Sequence, residues 1–140
     1  MNTLKRLLTA AAVILTGLSA AAANRFITFE SGSAGVQLAG SGSVAAIAID
    51  SANEWEGVKW AAENLALDFE RVTGVKPSVG TEGRIIVGTL GKSTAVESYL
   101  SAEEKAQLSG KREMYYIKVT GDNVIVAGSD KRGTTYGIYA

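Results

Sequence analysis

The sequence predicts a small α/β domain in which helices pack on a mixed β-sheet. Three observations carry this. Continuous apolar runs at Val44–Ile49 and Ile85–Val87 have the composition of strands covered on both faces. A long helical stripe lies between them, and two β-branched runs flank a tight turn further on. Strand, helix, strand, helix, hairpin and helix in that order describe a two-layer or three-layer sandwich.

The opening residues stand apart from this fold. Lys5 and Arg6 form a basic start, Leu7 to Leu18 an apolar run, and Ala21 and Ala23 the small-x-small pattern of a signal peptidase site before Asn24. The apolar run is shorter than the roughly 20 residues that cross a bilayer, so no membrane association is expected after cleavage. Residues 1–23 are therefore expected to be a signal peptide. Residues 24–140 are expected to form one exported domain, periplasmic or extracellular.

Within that domain, the alternation of Phe26 and Thr28 with Ile27 and Phe29 predicts a first strand, and Gly32, Ser33, Gly40 and Ser43 mark turns. Val44–Ile49 reads as one buried strand closed by Asp50. Trp55, Val58, Ala62, Leu65, Phe69 and Val72 then recur at steps of three and four, which paints one inward helical stripe. Ser51 and Glu54 have the spacing of a capping box at its start. Gly74 has the place of a left-handed C-terminal cap, and Pro77 forbids continuation. On the outer face Lys59 and Glu63 stand one turn apart.

Ile85–Val87 predicts a second buried strand, parallel to the first through a right-handed crossover. Ser93–Leu100 and Ser101–Leu108 predict short helices, with Glu103 and Glu104 near the positive end of the second. Tyr115–Thr120 and Val124–Ala127 across Gly121-Asp122-Asn123 predict a hairpin. Thr134–Ala140 begins a final helix, with Tyr136 and Tyr139 or Ile138 facing inward, and the chain is expected to stop inside it.

Composition removes several functional classes. The chain has no cysteine and no histidine, so a disulfide framework, a thiol nucleophile and the commonest zinc ligand and general base are all absent. Lys and Arg do not gather into a stripe, and nucleic acid is not an expected partner. Gly88-Thr89-Leu90-Gly91-Lys92-Ser93 has part of a phosphate-binding loop, but the required first glycine falls on Ile86. That segment reads as a strand-to-helix loop, and no cofactor or metal is expected.

Gly128-Ser129-Asp130-Lys131-Arg132-Gly133 stands where helix N–H groups can hold an anion, strengthened by Lys131 and Arg132. The competing reading makes Ser129 or Asp130 a helix cap and Gly133 a close-packing residue. No pair of carboxylates has the spacing for glycosidase chemistry, so no catalytic residue is nominated. Trp60, off the core stripe, is the candidate for stacking on a sugar. The candidate substrate-binding residues are thus Trp60, Lys131 and Arg132.

Three ordered segments carry a resemblance: Phe69-Glu70-Arg71-Val72-Thr73-Gly74-Val75-Lys76-Pro77, Ile85 to Ser93, and Gly128 to Tyr139. Together they resemble the N-terminal domain of glycoside hydrolase family 115, the xylan α-1,2-glucuronidases, over nearly all of residues 24–140. The resemblance implies a fold like the non-catalytic α/β domain that precedes the barrel in hexosaminidases. It implies a longer enzyme that removes glucuronic acid or its 4-O-methyl ether from xylan side chains, with the catalytic barrel downstream on the same polypeptide. The partners it implies are that barrel and xylan-derived oligosaccharide, and the catalytic residues would lie beyond Ala140. The alternative is a free-standing exported carbohydrate-binding or interaction module.

Overall fold

The computed structural model describes residues 35–140; the signal peptide expected at residues 1–23, the cleavage expected before Asn24 and the strand expected at Phe26–Phe29 lie outside the described residues. A short hairpin comes first, β1 (Ala39–Gly40) with β2 (Ser43–Val44), where Ala39 faces Val44. There follow β3 (Ile47–Ile49), α1 (Glu56–Thr73), β4 (Val79–Gly80) and β5 (Ile85–Thr89). Then come α2 (Thr94–Tyr99), α3 (Ala102–Leu108), β6 (Tyr115–Thr120), β7 (Asn123–Gly128) and α4 (Lys131–Tyr139).

Five strands form one sheet in the order β4-β3-β5-β7-β6. Its pairs are parallel except β6 with β7, so the sheet is mixed as expected. Side chains alternate between faces along each strand, and this period of two sorts the apolar residues into two cores. On one face Ile47, Ile49, Ile85, Val87 and Val126 pack on Val58, Ala62 and Ala66 of α1 and on Ile138 of α4. On the other, Ala48, Ile86, Ile125 and Ala127 pack on Val96 and Leu100, around α2, and on Leu108 of α3. The sandwich therefore has three layers.

Local signals account for most element ends. Gly74 closes α1 at φ 77°, a left-handed conformation that suits glycine, and its N–H donates to the Glu70 carbonyl. Ser101 and Glu104 form a capping box on α3. The Glu104 carboxylate also accepts from Lys118 at 2.9 Å and from the Tyr116 hydroxyl, which fastens α3 to β6.

The structure corrects several expectations. The run Val44–Ile49 is not one strand, because Val44 pairs back with Ala39 while Ile47–Ile49 joins the main sheet. The chain changes partner at Ala45 and Ala46: Ala45 N–H donates to Leu38, and the Ala46 carbonyl accepts from Ile85. The last helix begins at Lys131, three residues before Thr134. In it Ile138 is buried while Tyr136 and Tyr139 are exposed. Lys59 pairs with Glu56, and Glu63 with Lys76.

The helical stripe of α1 is buried only in its middle: Trp55 is 46% exposed and Val72 75%. An 18-residue helix is about 27 Å long. The five-residue strand β5 spans only about 17 Å, so the ends of α1 overhang the sheet.

This overhang predicts opposite outcomes for the same chemical change on one helix. Val58→Ala should cost about 2 kcal/mol, because two buried carbons are lost and a cavity is left. Val72→Ala should stay within about 0.5 kcal/mol. Urea melts of both variants check this, and equal costs would contradict the assigned faces of α1.

Candidate functional site

The connection leaving β3 runs into α1 on one face of the sheet, and the connection leaving β5 runs into α2 on the other. Where successive connections diverge in this way, a crevice opens at the carboxyl ends of the strands, which is where open α/β sheets hold ligands. Here a cleft of about 570 Å³ lies there, between the loops that follow β5 and β7. Trp55 and the Arg112–Glu113 segment complete its walls.

Beneath this cleft lies Glu54, 6% exposed, which was expected to be half of a capping box with Ser51. It caps nothing of α1 through Ser51; α1 starts at Glu56, with Trp55 as N-cap and no side-chain cap. One oxygen, Oε2, accepts the backbone N–H of Thr89 at 2.7 Å. The other, Oε1, accepts the Thr89 hydroxyl at 2.8 Å and the N–H of Trp55 at 2.9 Å. The Thr89 hydroxyl also lies 2.7 Å from Thr134 Oγ1 on α4, within hydrogen-bond distance, and Thr134 Oγ1 donates in turn to the Asp130 carbonyl at 3.0 Å. The buried chain Glu54–Thr89–Thr134 thus ties together the segments leaving β3, β5 and β7.

Asp130 supplies the second fixed point. Its side chain accepts from the N–H of Gly133 at 2.8 Å and from that of Glu113 at 3.0 Å. The Gly133 amide, and next the Glu113 amide, hold its carboxyl below the ordinary aspartate range, and the nearby Arg112 charge acts in the same direction. Of the two capping readings, Asp130 rather than Ser129 caps the helix, and its carboxylate occupies the place an external anion would take. Gly133 packs as expected: a Cβ there would meet the Met114 carbonyl at 2.1 Å. Glu113 adopts φ 60°, uncommon for a residue with a side chain, and ion-pairs with Arg132 at 2.9 Å.

The glycine-lysine-serine segment is structural too. Ser93 caps α2 by accepting from Val96 N–H, and Gly91 N–H donates to Glu97. Lys92 reaches back to the Asn53 carbonyl and lies 4.0 Å over the Trp55 ring.

Of the candidates named from sequence, Lys131 and Arg132 line the cleft, whereas Trp60, 69% exposed, stands on α1 away from its lining. The structure brings Trp55, Lys92 and Arg112 to the cleft instead. Trp55 was hidden by its periodicity, which placed it on the core stripe. Lys92 lay in plain view in a motif rejected for phosphate, and Arg112 carries no local signal. Every carboxylate at the cleft is already engaged: Glu54 with Thr89 and Trp55, Asp130 with two amides, Glu113 with Arg132. The arrangement offers cations and an indole, with no opposed pair of acids for hydrolysis. No three metal-ligating side chains come together among the described residues.

Comparison with known families finds one whose model matches residues 36–140, described as the glycosyl hydrolase family 67 N-terminus. The match is to family 67 rather than to the family 115 expected from the sequence. Among solved structures the chain is similar to a family 115 4-O-methyl-α-glucuronidase described as having specificity for decorated arabinogalactans. The identity is 35% and the TM-score 0.58, over 67% of this chain. The chain spans 12% of the length of that protein. Comparison with curated proteins gives no match.

The Asp130 cap predicts a pH signature. A carboxyl lowered in the folded state stabilises fully above its unfolded value of about 3.9, and this contribution fades as pH falls through the lower folded value. Asp130→Ala should therefore cost about 1 kcal/mol at neutral pH, and the gap from the unaltered chain should close below about pH 4. Denaturant melts from pH 7 to pH 3 check this; a gap that widens on acidification would contradict it.

Proposed function

The chain belongs to the glycosyl hydrolase family 67 N-terminus family, and on that premise we propose that it is the non-catalytic accessory domain of a secreted α-glucuronidase. In this reading the longer enzyme removes glucuronic acid or its 4-O-methyl ether from side branches of a plant polysaccharide. Its catalytic barrel follows this domain on the same polypeptide, and its signal peptide, residues 1–23, is removed before Asn24.

The observation that carries the reading is the state of the acids at the cleft. Glycoside hydrolysis needs one carboxyl group to protonate the leaving oxygen and a second to act across the bond. Glu54, Asp130 and Glu113 are all committed to holding the fold, so the domain supplies structure and the chemistry falls to another part of the enzyme. The similar structure of a family 115 4-O-methyl-α-glucuronidase supports the uronic acid as the group removed, and family 115 as the finer placement. Xylan is the polymer proposed from the sequence resemblance. Because the similar enzyme is described as specific for decorated arabinogalactans, both polymers belong in the test.

The exported chain, incubated with glucuronoxylan and with glucuronosylated arabinogalactan, is expected to release no uronic acid by chromatography. The polypeptide extended through its downstream barrel is expected to release it from one of them. Release by the 140-residue chain alone, abolished by Glu54→Gln, would overturn the accessory role. A longer polypeptide inert on both polymers would overturn the glucuronidase assignment.

A further inference from the structure

We propose that the cleft at the carboxyl ends of β3, β5 and β7 is a subsite for a uronic acid sugar, its carboxylate held by Arg112 and Lys131 and its ring set against Trp55. The choice of a uronate rests on the glucuronidase reading. The choice of a carboxylated ligand beside an aromatic surface rests on the cleft itself.

Four cations line this cleft, Lys92, Arg112, Lys131 and Arg132, against two lining carboxylates, Asp130 and Glu113, and the buried Glu54 beneath it. The carboxylates are spent: Asp130 on the amides of Gly133 and Glu113, Glu113 on Arg132. Lys92 is held by the Asn53 carbonyl and the Trp55 ring. Arg112 and Lys131 have no ion-pair partner among the described residues. In a chain whose formal net charge is +0, a local excess of cations on a concave surface attracts an anion.

The backbone decides which anion. Phosphate sites are built from clusters of outward backbone N–H groups at helix starts and glycine-rich loops. Three of the corresponding donors here are occupied: Gly133 N–H by Asp130, Val96 N–H by Ser93, and Gly91 N–H by Glu97. Recognition falls to side chains, and a guanidinium fork with an ammonium lining the same cleft can meet the two oxygens of a carboxylate.

Trp55 extends the site beyond a simple ion. Its indole is 46% exposed, its backbone N–H is held by Glu54, and Lys92 lies 4.0 Å over its ring. An exposed aromatic surface next to cations without an ion pair suits a ligand with an apolar face and an acidic group, which is what a sugar acid presents. The volume of about 570 Å³ accommodates a monosaccharide at the end of a longer chain.

The test uses the whole exported chain carrying Trp60→Phe, so that Trp55 is the fluorescent reporter. It is titrated with a glucuronic-acid-bearing xylo-oligosaccharide, with xylotriose, with acetate and with inorganic phosphate. The acidic oligosaccharide is expected to perturb Trp55 emission saturably and to bind at least about tenfold more tightly than the other three, the span of one charge-assisted contact. Arg112→Ala and Lys131→Ala should each weaken it by about that factor, and added salt should weaken it further. Arg112→Lys keeps the charge but loses the fork, and it should also weaken binding; Arg71→Ala, remote from the cleft, should not. Equal binding of phosphate or acetate would reveal an adventitious anion only and overturn the proposal. So would no response to the acidic sugar, or affinity unchanged in both Arg112 variants while their melting curves stay native. Absent binding alongside uronic acid release by the longer enzyme overturns this inference alone, whereas binding with no release by that enzyme overturns the glucuronidase reading.

Discussion

Glu54 follows β3 and turns its carboxylate into the protein, where it meets the amide and hydroxyl of Thr89 at the end of β5 and the amide of Trp55 at the start of α1. A buried carboxylate is costly without donors, and these three supply them. The same contacts fix what surrounds the group. The backbone of Trp55 is held in place, because its own amide is a donor. The loop after β5 starts from a pinned residue, and α4 is registered against it through Thr134. With Glu54 absent, the Thr89 N–H would be buried without an acceptor, a loss on the order of 1–3 kcal/mol. The cleft wall would lose its common anchor at the same time.

The layered fold was largely legible in the sequence, because its signals are local and periodic. The strands at Ile85–Val87 and Tyr115–Thr120, the two short helices and the cap at Gly74 follow from side-chain spacing and turn chemistry. The errors share a cause: a pattern in sequence takes no account of where the neighbouring element ends. Trp55 and Val72 have the right periodicity for the core, but the sheet beneath α1 is shorter than the helix. Val44 has the right composition for β3, but a competing partner at Ala39 claims it.

The site was far less legible, since it is assembled from residues distant in the chain. Glu54 and Thr89 are 35 positions apart, and Thr89 and Thr134 are 45 apart. Ser51 and Glu54 match a capping box in spacing, and the same carboxylate instead serves a tertiary role that spacing does not encode. Lys131 and Arg132 were found because they adjoin a helix start, which is a local feature. Arg112 precedes a residue in the left-handed conformation and reaches the cleft only once β6 has paired with β7. At the cleft Asp130 and Glu113 are held by amides and by Arg132, while Arg112 and Lys131 line it without an ion pair.

The Glu54 carboxylate anchors the carboxyl edge of the sheet through Thr89. Native-state hydrogen exchange at the Thr89 amide, in the unaltered chain and in Glu54→Gln, reads that anchor directly. The amide is expected to open only with the fold in the unaltered chain and by local opening in the variant, with the β5 amides of Ile86 and Val87 still protected in both. Rapid exchange at Thr89 in the unaltered chain, or the same protection with and without the carboxylate, would contradict it.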